Sequence, residues 1–379
     1  MVRRQVRARP AVRPAVSPSL LFAQPTALCN LDCSYCYLPD RADARAMSPE
    51  VADAMADGVR TWAGEHPVRV QWHGGEPLTV GARRFTELLS RFPERGAHPI
   101  RHAVQTNATL IDDIWCDVFE RSAVDVSVSI DGPGEANGRR TDRGGRRTAE
   151  RTLRGIDVLR RRGIAFDAIA VVSEPSAERA REMYAWFAEL GTRTLGVNLV
   201  ERKGVYRERV AWDERAVVEF WAALLGCRRS DGRMRIRDLD LALRYVRDEL
   251  DGRAGERVIA PREFAPMVMW NGALVPMGPE LAGFTSPRHG ALSIGDITES
   301  GLVELVERAV DVPWVAEAMD GFANCQAVCD HFAFCLGGNA ANKFFETGRF
   351  DTTETTHCRT SKKLLMEGVF QHVAEPWRR

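Results

Sequence analysis

Three cysteines fall within one eight-residue run, Cys29-Asn30-Leu31-Asp32-Cys33-Ser34-Tyr35-Cys36, directly after an apolar stretch that begins at Leu20. No other feature constrains this chain as strongly. Three thiolates on a short loop can hold three irons of a cubane cluster and leave the fourth iron without a protein ligand. Catalysis needs such an open position, whereas a purely structural site is normally closed. The competing readings are a zinc site, which would want a fourth ligand that this loop does not offer, and a set of buried thiols.

The chain has nine cysteines among 379 residues. The first apolar run, Leu20 to Ala23, is too short for a signal-peptide core or a membrane span. Cysteines without an export signal favour metal or redox chemistry over a disulfide framework, and the expected location is the cytoplasm. A second group, Cys325, Cys329, Cys335 and Cys358, lies near the end, and only Cys116 and Cys227 stand alone. Lys+Arg and Asp+Glu are both 52, so the chain has no global field for nucleic acid or membrane, and neither is expected as a partner. The first 19 residues read as a flexible basic arm, with Arg3, Arg4, Arg7, Arg9 and Arg13 interrupted by Pro10, Pro14 and Pro18.

Strand-like runs at Leu20–Leu28, Val68–Trp72, Ile100–Gln105, Val124–Ile130, Phe166–Val172 and Thr194–Leu199 alternate with helical stretches. Ser48 followed by Pro49 is a helix start, and Gly163 and Gly191 stand where helices should stop. Six β–α units in a row predict an α/β fold, a partial (β/α)6 TIM-like barrel with a parallel sheet. Residues 20–200 form this core. A helical linker or bridge is expected over 201–254, with one helix from Asp213 ending at Gly226 and another carrying Ile236, Leu239, Leu243, Val246 and Leu250 on one face. From about 255 the chain becomes rich in glycine and proline, which predicts hairpins and turns to 366, then a tail over 367–379.

Trp72-His73-Gly74-Gly75-Glu76-Pro77 ends the second predicted strand. Gln105-Thr106-Asn107 ends the third, and Ser129-Ile130-Asp131-Gly132 the fourth. In parallel α/β folds the strand C-termini carry the chemistry. Taken with the cysteine spacing and Tyr37, this order of motifs resembles the radical S-adenosylmethionine (SAM) superfamily. The resemblance implies that Gly74, Gly75, Glu76 and Pro77 meet the methionine end of SAM and that Gln105, Asn107 and Ser129 contact SAM or substrate. It also implies that an arginine after Gly138 meets the SAM carboxylate, with Arg143 preferred over Arg140.

Cys325-x3-Cys329-x5-Cys335, followed later by Cys358, can close a second cubane with no open iron. A four-thiolate zinc site has the same spacing. The region resembles the SPASM domain, an extension of radical SAM enzymes that modify peptides and that typically holds two auxiliary clusters. Met277 and Asn339 stand where that pattern has cysteines, so one auxiliary cluster is expected and two 4Fe–4S clusters in total. The resemblance implies one-electron cleavage of SAM, with flavodoxin or ferredoxin as donor, to a 5′-deoxyadenosyl radical that abstracts hydrogen from an unactivated carbon.

The runs Cys29–Pro39, Gln71–Leu78, Asn342–Glu346 and Thr353–Arg359 are similar to maturases of ribosomally synthesised precursor peptides, several of which form cyclophanes. A carbon–carbon crosslink is therefore the expected outcome, and Glu201, His331 and Asp131 are the candidate bases. Peptide recognition falls to the C-terminal region or the basic arm. The rival outcomes are thioether formation, epimerisation and Ser or Cys oxidation. A non-enzymatic iron–sulfur or zinc protein is the remaining alternative.

Overall fold

A computed structural model describes residue 12, residues 14–92 and residues 96–374. Six parallel strands follow in chain order across one sheet: β1 (Leu20–Ala23), β2 (Val68–Trp72), β3 (Ile100–Thr106), β4 (Asp125–Ser129), β5 (Phe166–Val172) and β6 (Thr194–Leu199). Between them run α1 (Pro49–Trp62), α2 (Ala82–Leu89), α3 (Asp113–Arg121), α4 (Ala149–Arg161) and α5 (Ala177–Leu190). Local chemistry sets their ends. The Ser48 hydroxyl accepts from the Val51 amide with Pro49 at the first helical position, and Asp112 and Ser176 cap α3 and α5 in the same way. Gly191 takes the left-handed conformation, φ +83°, that stops α5.

Alternate residues of each strand face opposite sides. Val68, Val70, Trp72, Val126, Val128, Phe166, Ala168, Ala170, Leu195, Val197 and Leu199 belong to one buried core that includes the helices. The opposite face carries Gln71, Gln105, Ser127, Ser129 and Asn198, none of them in that core. Phe22, Ile169 and Val171 stand in register with these residues, so the face is mixed, with polar groups set among apolar ones.

The second half departs from the expected pattern. After β6 come α6 (Glu214–Asp231), a short β7 (Arg235–Ile236) beside β6, and α7 (Arg237–Leu250). Gly226 does not end α6, which runs to Gly232 and so encloses Cys227; Gly226 instead lets the His372 ring approach. β8 (Met267–Val268) and β9 (Leu274–Val275) extend the sheet beyond β1, β8 parallel to it and β9 antiparallel to β8. The expected turns occupy much of 260–296, including the hairpin of β10 (Thr285–Ser286) and β11 (Gly290–Ala291). Beyond them, helices such as Pro313–Val328, Ala340–Thr347 and Leu364–Ala374 dominate. The last lies along α6, so residues to 374 are packed helix rather than tail. Met267, Trp314, Phe322, Phe345 and Phe350 build a second core there.

β1 stops at Ala23, and Pro25, which has no amide donor, follows it two residues later. The five arginines of the basic arm lie outside the described residues. Its last residues are docked: Ala15 donates to the Arg262 carbonyl and Ser19 to the Glu263 carboxylate. No helix among the described residues is long and apolar enough to cross a membrane.

Candidate active site

The cysteine loop sits at the C-terminal ends of β1 to β4, bolted down on two sides. On one side the Glu76 amide donates to the Leu28 carbonyl at 2.7 Å, and Gly75, φ +63°, presses against that chain. A β-carbon on Gly75 would stand 2.5 Å from the Leu28 oxygen, so only glycine fits. On the other side residues 139–143 run alongside. Asp32 donates to the Thr141 carbonyl and Ser34 to the Arg139 carbonyl, while the Arg143 guanidinium holds the carbonyls of Cys29 and Arg41.

Glu76 is 1% exposed and spent within the scaffold. Its carboxylate accepts from the Thr106 hydroxyl (2.7 Å), the Asn107 amide (2.7 Å) and the Leu78 amide (3.1 Å). Burial raises its pKa, against those three bonds. The Asn107 side chain donates to Asn30 of the cysteine loop at 2.8 Å and accepts from Thr109. The chain Glu76–Asn107–Asn30 thus fixes the loop to the strand ends. Gln105 donates to the Ser129 hydroxyl at 2.8 Å across β3 and β4, on the mixed face.

Arg143 and Arg140, the two arginines considered for a cofactor carboxylate, lie on different partners. Arg143 is engaged by loop carbonyls. Arg140, 7% exposed, lies under the loop instead. It donates to the Tyr35 hydroxyl at 2.7 Å and sits 3.8 Å from Asp131, and its buried Nε has no hydrogen-bond partner. Asp131 accepts from Tyr35 (2.6 Å) and from the Val171 amide (3.0 Å), and burial raises its pKa. Its carboxylate therefore holds Tyr35 and Arg140 in place and is poorly set to serve as a base.

Glu201, just past β6, is no free base either. Lys203 pairs with it at 2.7 Å and His357 at 2.9 Å, and Asn342 donates to the same carboxylate. Burial would raise this carboxyl, but His357 and Lys203 outweigh burial and hold it below the ordinary carboxylate range. Lys203 also reaches Glu280 at 3.4 Å, to which Asn339 donates. Asn339 is one of the two positions where the SPASM pattern would have a cysteine, so a buried ion-pair network involves that position here. It abuts the first loop, since Lys203 lies 5.2 Å from the Tyr37 ring centroid and the Tyr37 hydroxyl meets His73 at 2.9 Å. Burial pulls the His73 imidazole down to about 4, so it is neutral. Sequence reasoning assigned no role to Lys203 or Glu280, because nothing in the sequence shows that residue 280 meets residues 201–203 before folding.

Both cysteine groups assemble. Burial pushes the Cys29 thiol up to about 12, with contributions from Glu76, Cys33 and Cys36 beside it. In the second group Cys325 and Cys329 flank the end of helix Pro313–Val328, Cys335 closes a short turn, and Thr355 caps Cys358. Cys329 and Cys335 are close enough to add to the rise that burial imposes on both Cys325 and Cys358. His331 lies among these cysteines and not at the strand ends.

Two cations, Lys343 buried and Arg262 half-buried, face the second group. Lys343, 1% exposed, donates to the Gly321 carbonyl (2.7 Å) and to the Cys325 sulfur (3.5 Å). Arg262 lies beside Cys335 and Cys325. Burial lowers the pKa of each cation. Among the described residues no three His, Cys, Asp or Glu side chains gather as they would on a single metal ion. A cubane takes one thiolate per iron, and the four thiols of the second group lie within electrostatic reach of one another. The first loop fits a cluster with one open iron, and the unpartnered Arg140 Nε and Gln71 Nε2 fit a polar ligand beside it.

A parallel α/β sheet with an open thiolate loop at its catalytic end defines an iron–sulfur enzyme that binds a cofactor on its cluster. Residues 24–187 match the radical SAM superfamily, so this segment is a radical SAM domain, a kind that implies SAM and a 4Fe–4S cluster, and the chain is an enzyme. A protein of Synechocystis described as uncharacterized is 28% identical over 94% of this chain and 92% of its own. A serine-type anaerobic sulfatase-maturating enzyme of Bacteroides thetaiotaomicron is 32% identical over 188 residues, 47% of this chain and 45% of that one. The solved structure of anSMEcpe with bound AdoMet has a TM-score of 0.71 at 22% identity, covering 95% of this chain and 99% of that one. SuiB of Streptococcus suis, bound to its precursor peptide SuiA, gives 0.63 at 16% identity, covering 91% and 77%. At those identities the two structures speak for the fold.

Proposed function

We propose that this enzyme is a radical SAM maturase of a ribosomally synthesised precursor peptide and that it forms an intramolecular carbon–carbon crosslink of the cyclophane type. The observation that carries the reading is the pairing of a three-cysteine loop at the strand ends with a separate group of four cysteines. On this reading the sheet is the wall of a partial (β/α)6 barrel over 20–200. Residues 255–366 are a SPASM-like extension with one auxiliary cluster on Cys325, Cys329, Cys335 and Cys358.

Cys29, Cys33 and Cys36 would hold the cluster, and SAM bound there would supply, on one-electron reduction by a flavodoxin or ferredoxin, the radical chemistry that removes hydrogen from the peptide. The chain's own residues do the rest. Gly74 and Gly75 open the backbone to the methionine end, and Arg140 offers a guanidinium for its carboxylate. Gln105 and Ser129 stand at the strand ends beside the loop, and Tyr35 helps keep water from it. A crosslink forms with loss of two hydrogens, which requires an electron sink, and a cluster closed by four thiolates can accept an electron without binding substrate.

A second reading, oxidation of a Ser or Cys to an aldehyde, is favoured by the likeness to sulfatase-maturating enzymes. Anaerobic reconstitution with SAM, a reductant and a candidate precursor peptide tests both. About eight irons per chain are expected from two cubanes, with 5′-deoxyadenosine formed and a peptide lighter by two hydrogens that does not react with a hydrazide. A hydrazide-reactive product establishes the aldehyde reading instead, and intact SAM refutes both.

A further inference from the structure

A cavity of about 530 Å³ opens beside the catalytic end of β6, between the segment after that strand, the β10 hairpin and the helix Ala340–Thr347. Its walls carry three arginines, Arg202, Arg207 and Arg288. Most arginines on this protein are matched with carboxylates, and Arg288 is too, at 3.0 Å from Glu317. Arg202 and Arg207 have no carboxylate partner among the described residues. The Arg202 Nε is buried without any hydrogen-bond partner, and Arg207 only rests over the Phe345 ring, 5.7 Å from its centroid. The carboxylate on the wall, Glu346, does not answer them. It accepts from the backbone amides of Thr356 (2.5 Å) and His357 (3.2 Å). Phe284 and Phe344, both half-buried, supply apolar surface beside the two free guanidinium groups.

We propose that this cavity docks an acidic segment of the substrate peptide, one or two carboxylates flanking an apolar or aromatic side chain. The inference rests on the peptide-maturase reading and deepens it by naming the recognition surface and its chemistry. A half-buried guanidinium whose Nε is left without a partner, as in Arg202, is costly, and a carboxylate can satisfy a guanidinium in bidentate geometry. The volume suits a few side chains rather than a folded partner. The position suits delivery, because Arg202 immediately follows Glu201 at the end of β6. A segment held there leads straight toward the mixed sheet face.

The test is fluorescence anisotropy with a fluorescein-labelled peptide, Gly-Glu-Glu-Phe-Asp-Glu-Gly, against the same peptide with lysine at each acidic position. The acidic peptide should bind, more weakly as salt rises. Arg202→Gln with Arg207→Gln should weaken binding at least tenfold. Arg207→Gln alone, at an exposed side chain that cannot threaten folding, should weaken it several-fold. Equal binding of the lysine peptide, unchanged binding by both variants, or tighter capture of a single-stranded oligonucleotide by the same arginines overturns the proposal. SAM cleavage in the absence of peptide should match the wild type in both variants, since neither arginine touches the cysteine loop. Its absence from the wild type itself would overturn the radical SAM reading while leaving the binding result intact.

Discussion

Replacing Lys343 by methionine should change stability differently in the cluster-free and the cluster-loaded protein. Lys343 is 1% exposed, and its amine has two partners, the Gly321 carbonyl at 2.7 Å and the Cys325 sulfur at 3.5 Å. Without a cluster, burial keeps the Cys325 thiol protonated, and the lysine faces no full negative charge. Methionine then forfeits the bond to the Gly321 carbonyl and the weaker one to the Cys325 thiol, about 1–2 kcal/mol together, and removes the desolvation cost of a buried amine, so the net change is small. With a cluster in place Cys325 is a thiolate. At 3.5 Å and an effective dielectric of about 20, the attraction is about 5 kcal/mol before relaxation. Breaking a buried pair from one side costs about 3–5 kcal/mol. The assay is apparent melting of apo and reconstituted protein, with iron release to a chelator followed in parallel. Lys343→Met should leave apo melting near the wild type and make the auxiliary iron about a hundredfold easier to remove. Equal destabilisation of both forms would refute the reasoning and make Lys343 a purely structural residue.

Two further outcomes are expected. Glu201→Gln should lose iron from the second cysteine group and lower thermal stability, while cleavage of SAM without peptide persists; loss of peptide product with iron and stability intact would restore Glu201 as the base. His102 accepts from the Trp72 indole at 3.2 Å, and burial lowers its pKa to about 4 from the ordinary 6.5. Its contribution is complete above about pH 6.5 and lost as pH falls through 4, about 3 kcal/mol in all, because the unfolded chain binds the proton first. His102→Gln should flatten the urea midpoint between pH 7 and 4.5, and an unchanged acid slope would remove His102 as its cause.

The first half of the molecule was legible because its information is local. Caps such as Ser48 and stops such as Gly191 act within one turn, and strand alternation repeats every two residues. The motifs at the strand ends could be read for the same reason: chain order fixes which loop follows which strand. The second half was not legible in this way. Gly226 reads as a stop, but packing against the helix Leu364–Ala374 carries α6 through it. The turn-rich appearance of 255–296 gives no hint of the helices beyond, which are held by Trp314, Phe322 and Phe350 coming together.

The sequence by itself determined the parallel α/β core, the two cysteine groups and the chemistry that three thiolates on one loop permit, because ligand identity and close spacing survive any arrangement of distant parts. Only the tertiary structure decided which charged groups are free to act. Glu201 is consumed by Lys203 and His357, and Asp131 by Tyr35 and Arg140. Arg143 is spent on loop carbonyls, while Arg202 and Arg207 are left unmatched. The physical reason is that the state of a charge depends on its neighbours within a few ångströms and on its burial, and folding brings some of those neighbours, such as His357 beside Glu201 and Cys29 beside Arg143, from more than a hundred residues away.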